Sequence, residues 1–281
     1  MVKRSDKLKV EVREQSKTPG FFGKILLRIL PLLLAIVLLL GTAYFCRKKL
    51  YFNNSLFELK QIETSQSENF PRMRIVTMLS EMGIESGRQT LPLLPLAEIR
   101  QRFLKEPLAG AVQVRRIFPD TLQVRIVERI PVAYLHFPSR SRLSVLSIDR
   151  NGVVLPGEVK GASTKIPIIN HIPNANNLVV GERTDNSYLL SVLLLLNQLA
   201  VRSEGAYYDV FLLQINQADQ QLILRLNARG IFRQSAQIIL SLDHIVQGLE
   251  RLKHIVKLRM ESGQTISFID VSYEKNVPVR P

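Results

Sequence analysis

The chain has 281 residues, room for one membrane span and one or two ordinary domains. Its 38 Lys and Arg against 24 Asp and Glu leave a formal charge of +14, which suits an anionic lipid, cell-wall or acidic-protein surface. No RNP-type strand, Cys/His finger or basic zipper accompanies that charge, so nucleic acid is not an expected partner. The single cysteine, Cys46, excludes an intramolecular disulfide and a thiolate metal cluster.

Residues 1–24 read as a basic cytoplasmic tail. Up to Arg28 there are eight basic residues and three acids (Asp6, Glu11, Glu14), so the remaining surplus of +9 is spread over the rest of the chain. Residues 25–46 read as a transmembrane helix, because Ile29 to Cys46 is an uncharged run long enough, with Ile25–Arg28, to cross ~30 Å of hydrocarbon. Tyr44 and Phe45 suit the far interface, and Arg47, Lys48 and Lys49 stop the span. The larger positive count before the span predicts the amino terminus inside and the long region outside. A cleavable signal peptide is the rival, but the run is long for one and no A-x-A site follows. A lipoprotein reading through Cys46 fails on Phe45, where a small residue is needed.

After a linker at 47–55, Leu56–Glu63 reads as an edge strand. Pro71–Met82 has apolar residues at helical spacing and Gly83 as its stop; Leu96–Leu104 reads as a second amphipathic helix ending by Pro107. Between them Ser86–Pro95 is a long loop. Ala111–Phe118 and Leu122–Glu128 alternate apolar and polar residues around Pro119-Asp120-Thr121, which predicts a half-buried antiparallel hairpin. Residues 56–130 are thus a β-α-α-β-β module.

Residues 131–281 read as a β-rich domain with helices packed on a mixed sheet, making the whole an α+β fold. Val132–Phe137, Leu143–Ile148 and Val153–Leu155 are expected strands, with Asp149-Arg150-Asn151-Gly152 as a turn. Ile166–Ile169 is a short strand. Tyr188–Val201 is a buried helix rather than a second membrane span, since its apolar run is short and edged by Ser191, Asn197 and Gln198. Tyr207–Ile215 and Leu222–Leu226 read as strands, Ser235–Arg259 as one long helix closed by Gly263, and Ile266–Tyr273 as a final strand.

No phosphate-binding glycine loop, dinucleotide fingerprint or nucleophile elbow is found. His244 and His254 are ten residues apart on the expected helix and cannot clasp one metal; His136 and His171 are isolated. No catalytic, cofactor or metal site is expected. Asp149 is expected to cap backbone amides at its turn. Glu128 and Arg129, at the module junction, suit an ion pair, a hinge support or solvated charge.

The stretch 112–135, VQVRRIFPDTLQVRIVERIPVAYL, together with SIDRNGVVLP, KIPII and the closing ISFIDVSYEKNVPVR, resembles the FtsQ/DivIB family of bacterial division proteins, whose first outer module is a POTRA domain. The matching positions include Val114, Arg116, Phe118, Pro119, Leu122, Glu128, Pro131, Ala133, Asp149, Gly152, Ile266, Ile269, Asp270 and Tyr273. Ser272 stands where the family has Arg, and Lys275 replaces a small residue. The resemblance implies a non-catalytic, single-pass scaffold of the inner membrane at the division septum. It would bind coiled-coil proteins like FtsB and FtsL and connect with septal peptidoglycan synthases. It also implies that a partner adds a strand to the terminal β edge, for which Ser272, Tyr273, Glu274 and Lys275 are the candidate contacts by position. Two other classes compete. A POTRA-bearing envelope chaperone or translocation component expects further POTRA repeats or a barrel. A membrane-tethered envelope hydrolase expects a nucleophile–base or metal set.

Overall fold

The computed structural model describes residues 21–47, 55–65, 67–137, 145–157, 159, 163 and 165–281. The tail to residue 20, most of the linker (48–54) and the start of the strand expected at Leu143 lie outside the described residues. The chain divides into two units, Met1–Phe57 and Glu58–Pro281.

The first unit holds helix α1, Phe21–Arg47, 27 residues with Pro31 inside it. Its described side chains, 30 to 45, are all exposed. The hydroxyl of Thr42 bonds back to the Leu38 and Leu39 carbonyls at 2.9 and 3.0 Å, so this polar group is satisfied within the helix. Counted over the described residues alone, no helix is long and apolar enough to cross a membrane.

The second unit begins with the β-α-α-β-β module: β1 (Gln61–Thr64), α2 (Arg72–Glu81), α3 (Leu96–Leu104), β2 (Ala109–Ile117) and β3 (Thr121–Glu128). The sheet order is β1-β3-β2, with β1 parallel and β2 antiparallel to β3. The expected strand from Leu56 is shorter than its sequence suggests. Residues Ser55–Phe57 form a 3-10 turn, and the ladder starts at Gln61 because β3 itself starts opposite, at Thr121. One face of each element is buried: Ile75 and Leu79 of α2, Ile99 and Phe103 of α3, and Leu122, Val124 and Ile126 of β3 close over Phe70. Arg74, Arg102, Glu81 and Glu106 link α2 to α3 through surface ion pairs of 2.8–3.4 Å, each worth little in water.

The rest forms one mixed nine-stranded sheet. In chain order its elements are β4 (Pro131–Leu135), β5 (Leu146–Asp149), β6 (Val154–Pro156), β7 (Ile168–Asn170), α4 (Ser187–Val201), β8 (Val210–Asn216), β9 (Gln221–Leu226), β10 (Phe232–Ser241), α5 (Ile245–Glu261), β11 (Ile266–Asp270) and β12 (Val279–Arg280). The strand order is β12-β11-β10-β9-β8-β7-β4-β5-β6. Leu213, Leu224 and Ile238 are register partners on one face, and so are Ile215, Leu222 and Leu240. That face is buried in one cluster with Leu189, Val192 and Leu193 of α4 and Leu249, Leu252 and Val256 of α5. Helix α4 is therefore a core helix. Asn186 caps it, accepting from the amides of Tyr188 and Leu189.

The long helix expected over Ser235–Arg259 is not formed. Its first part is β10, and α5 starts only at Ile245. Ala236, Ile238 and Leu240 are buried alternately, and β10 is paired on both sides, antiparallel to β9 and parallel to β11. Two sheet neighbours stabilise a β-branched pair such as Ile238-Ile239 better than a helix stripe does. Asp243-His244 then separates strand from helix.

Candidate functional site

Two regions gather the residues singled out by the sequence: the carboxyl-terminal margin of the large sheet and the junction between the small module and that sheet.

At the margin, β11 ends at Asp270 rather than at Tyr273. Buried Asp270 accepts from the Ser272 amide at 3.0 Å and from the Ser272 hydroxyl through one carboxylate oxygen, and this Asx-type turn carries the chain out of the ladder. Ser272, Tyr273, Glu274 and Lys275 consequently sit in the connection to β12 and not in the terminal strand. Tyr273 is 56% exposed. Strand β12 returns antiparallel, pairing Val279 with Ile269 and Arg280 with Phe268. It covers β11 and is itself the sheet margin. The guanidinium of Arg280 stacks 5.2 Å over the Phe268 ring. The opposite margin, β6, is covered: Val154 bonds to Glu182 O at 3.0 Å and accepts from Gly181 N at 2.8 Å.

At the junction, Glu128 and Arg129 do not pair with each other. Glu128 reaches back, accepting from Asn69 N (2.9 Å), Asn69 Nδ2 (2.7 Å) and the Ser67 hydroxyl, which fixes the approach to α2 beside Phe70. Arg129 reaches forward, donating to Asp149 Oδ2 at 2.8 Å. The other oxygen of Asp149 accepts from Asn151 N (2.9 Å) and Val153 N (2.8 Å), as expected for a cap of the turn. Gly152 supplies the turn's φ of +84°, a conformation that disfavours side chains. Pro131 opens β4 opposite Asp149. Arg116 donates to Leu91 O (2.9 Å) and Leu94 O (2.6 Å), tying the long loop before α3 to β2. Pro119 lies in the hairpin turn, and Leu122 is fully buried.

Sequence reasoning missed Val153 and Leu155. Both belong to the chain of the large sheet, yet they are buried in the hydrophobic cluster of the small module. Gly181 likewise abuts Pro107, so that a Cβ there would meet its ring at 3.4 Å. No periodicity in a three-residue strand signals which module it serves. The junction is a shared core crossed by an ion pair.

Among the described residues no group of three or more His, Cys, Asp and Glu could hold a metal.

The family model for the FtsQ-type POTRA domain matches residues 57–129. A protein of Geotalea daltonii named cell division protein FtsQ is 24% identical over 246 residues, 88% of this chain and 84% of its own. Proteins of the same name from Syntrophotalea carbinolica and Zymomonas mobilis are 28% and 31% identical, over 58% and 42% of this chain and 54% and 35% of theirs. A POTRA domain of the FtsQ type thus lies where the β-α-α-β-β module is, and the chain is similar along most of its length to a protein named cell division protein FtsQ.

Proposed function

We propose that this protein is a non-catalytic, membrane-anchored component of the bacterial division machinery. Helix α1 crosses the inner membrane with the basic tail inside. The region beyond it lies outside, at the septum, where it docks membrane coiled-coil proteins like FtsB and FtsL and connects them with septal peptidoglycan synthases. The division role is supported by the likeness to proteins named for cell division. The anchor is supported by the uncharged run Ile29–Cys46 inside a 27-residue helix, about 40 Å long against ~30 Å of hydrocarbon.

One observation carries the docking mode: β12, two residues long, is the last strand of the large sheet, with no strand beyond it among the described residues. Its outward backbone groups are a template for an added strand, and the exposed Tyr273 with Glu274 and Lys275 flanks it. A photo-crosslinking amino acid at Tyr273 or Arg280 of the full chain, in dividing cells, tests this. Capture of single-span coiled-coil membrane proteins from these positions, and not from Gln113 on the small sheet, is the expected result. Equal capture from all three would remove the docking edge. Topology is checked with Cys46→Ser combined with Tyr273→Cys, which an impermeant maleimide should label once the outer permeability barrier is opened. Labelling only after lysis of the inner membrane would overturn the anchor.

A further inference from the structure

We infer that the free margin of the small sheet, strand β1, is a second docking site and that it takes an extended acidic peptide segment by strand addition. The inference needs neither the division role nor the carboxyl-terminal margin.

The order β1-β3-β2 leaves one side of β1 without a neighbouring strand among the described residues. Gln61 N bonds to Asp120 O and Ser65 N to Val124 O, so the odd-numbered residues turn their amides toward β3. By alternation, Ile62 and Thr64 turn two amides and two carbonyls the other way. Strand β1 contains no proline and keeps its register with β3 without a bulge.

Space and charge are present beside it. An open groove of about 1020 Å³ runs along Lys60–Ser65 and is also lined by Arg72, Gln123 and Arg125. Three cations, Lys60, Arg72 and Arg125, line it against one carboxylate, Glu63. Glu63 is already engaged, accepting from Gln123 Nε2 at 3.0 Å. Among the described residues none of the three cations forms an ion pair. A single lysine on an edge strand is an ordinary guard against unwanted pairing. Three cations from β3, α2 and the approach to β1, lining one groove, instead favour a strand that carries negative charge.

The test uses the full chain in detergent and a short labelled peptide of alternating threonine and glutamate, with its threonine–lysine counterpart as control. Fluorescence anisotropy should show the acidic peptide binding at least about tenfold more tightly, with affinity falling as salt screens the groove. The double variant Arg72→Glu with Arg125→Glu should lose about tenfold in affinity for the acidic peptide. Hydrogen exchange read at single residues on the unaltered protein should show the Ile62 and Thr64 amides protected by the peptide. This readout stands whether or not a variant folds. Equal affinity for both peptides would overturn the proposal, as would binding that leaves the Ile62 and Thr64 amides exchanging at their free rate. Anionic vesicles that bind and compete the peptide away while leaving those amides unprotected would show a lipid surface instead.

Discussion

Replacing Asp149 with alanine should damage both outer modules at once. Its side chain is 4% exposed and receives three hydrogen bonds, from Arg129 Nη1, Asn151 N and Val153 N. Removal strips the acceptor from an arginine whose side chain is 22% exposed and from the amide of buried Val153, while the exposed Asn151 amide can turn to water. Orphaning a buried donor costs about 1–3 kcal/mol, and removing one member of a buried ion pair about 3–5. The two overlap at one site, so ~3–5 kcal/mol is expected in total. For a unit of this size that corresponds to a fall in Tm of roughly 6–20 °C. Asp149→Asn keeps an oxygen for both amides but puts an NH2 donor where Oδ2 accepted from Arg129, so that charged hydrogen bond is lost and about 1.5–3 kcal/mol is expected. Thermal and urea unfolding of the full chain, followed by circular dichroism, measures both. If Asp149→Ala melts within about 2 °C of the parent, the junction does not depend on this carboxylate and the reasoning fails.

Leu155→Ala alters a fully buried side chain outside the matched POTRA residues but inside their hydrophobic cluster, and a loss of about 2–5 kcal/mol is expected. Hydrogen exchange should quicken in α2 and β3 as well as in β6; an effect confined to β4–β6 would show that the two cores are separate. Arg116→Met keeps much of the stem's volume and removes the guanidinium's two hydrogen bonds, leaving the Leu91 and Leu94 carbonyls only the amides of Leu94 and Leu96, at a cost of about 1–3 kcal/mol. Faster exchange or proteolysis should appear first at residues 89–95, and unchanged protection there would dismiss Arg116 as the tie.

The elements most legible in the sequence were those whose pattern repeats locally. The hairpin of β2 and β3 shows alternation around Pro119-Asp120, clean in β3 and broken in β2 by the Arg115-Arg116 pair, and α2, α3 and α4 each show a stripe bounded by a recognisable stop or cap. The role of Asp149 was legible too, because a carboxylate two residues before Asn151 and four before Val153 meets those amides in a local turn. The segment 235–244 was not. Its apolar residues fit a stripe at helical spacing as well as a strand, and pairing with β9 and β11, distant along the chain or set by α5, decided for the strand.

Sequence alone determined the likeness to FtsQ proteins, the order of the first module and the uncharged run within α1, because each rests on neighbours along the chain. Tertiary structure decided that β12 and not β11 forms the sheet margin, and that Val153 and Leu155 belong to the POTRA core. It also decided that Glu128 and Arg129 serve different partners. Two- and three-residue strands carry no periodicity of their own, so their placement follows from which distant backbone and apolar surface remain to be satisfied.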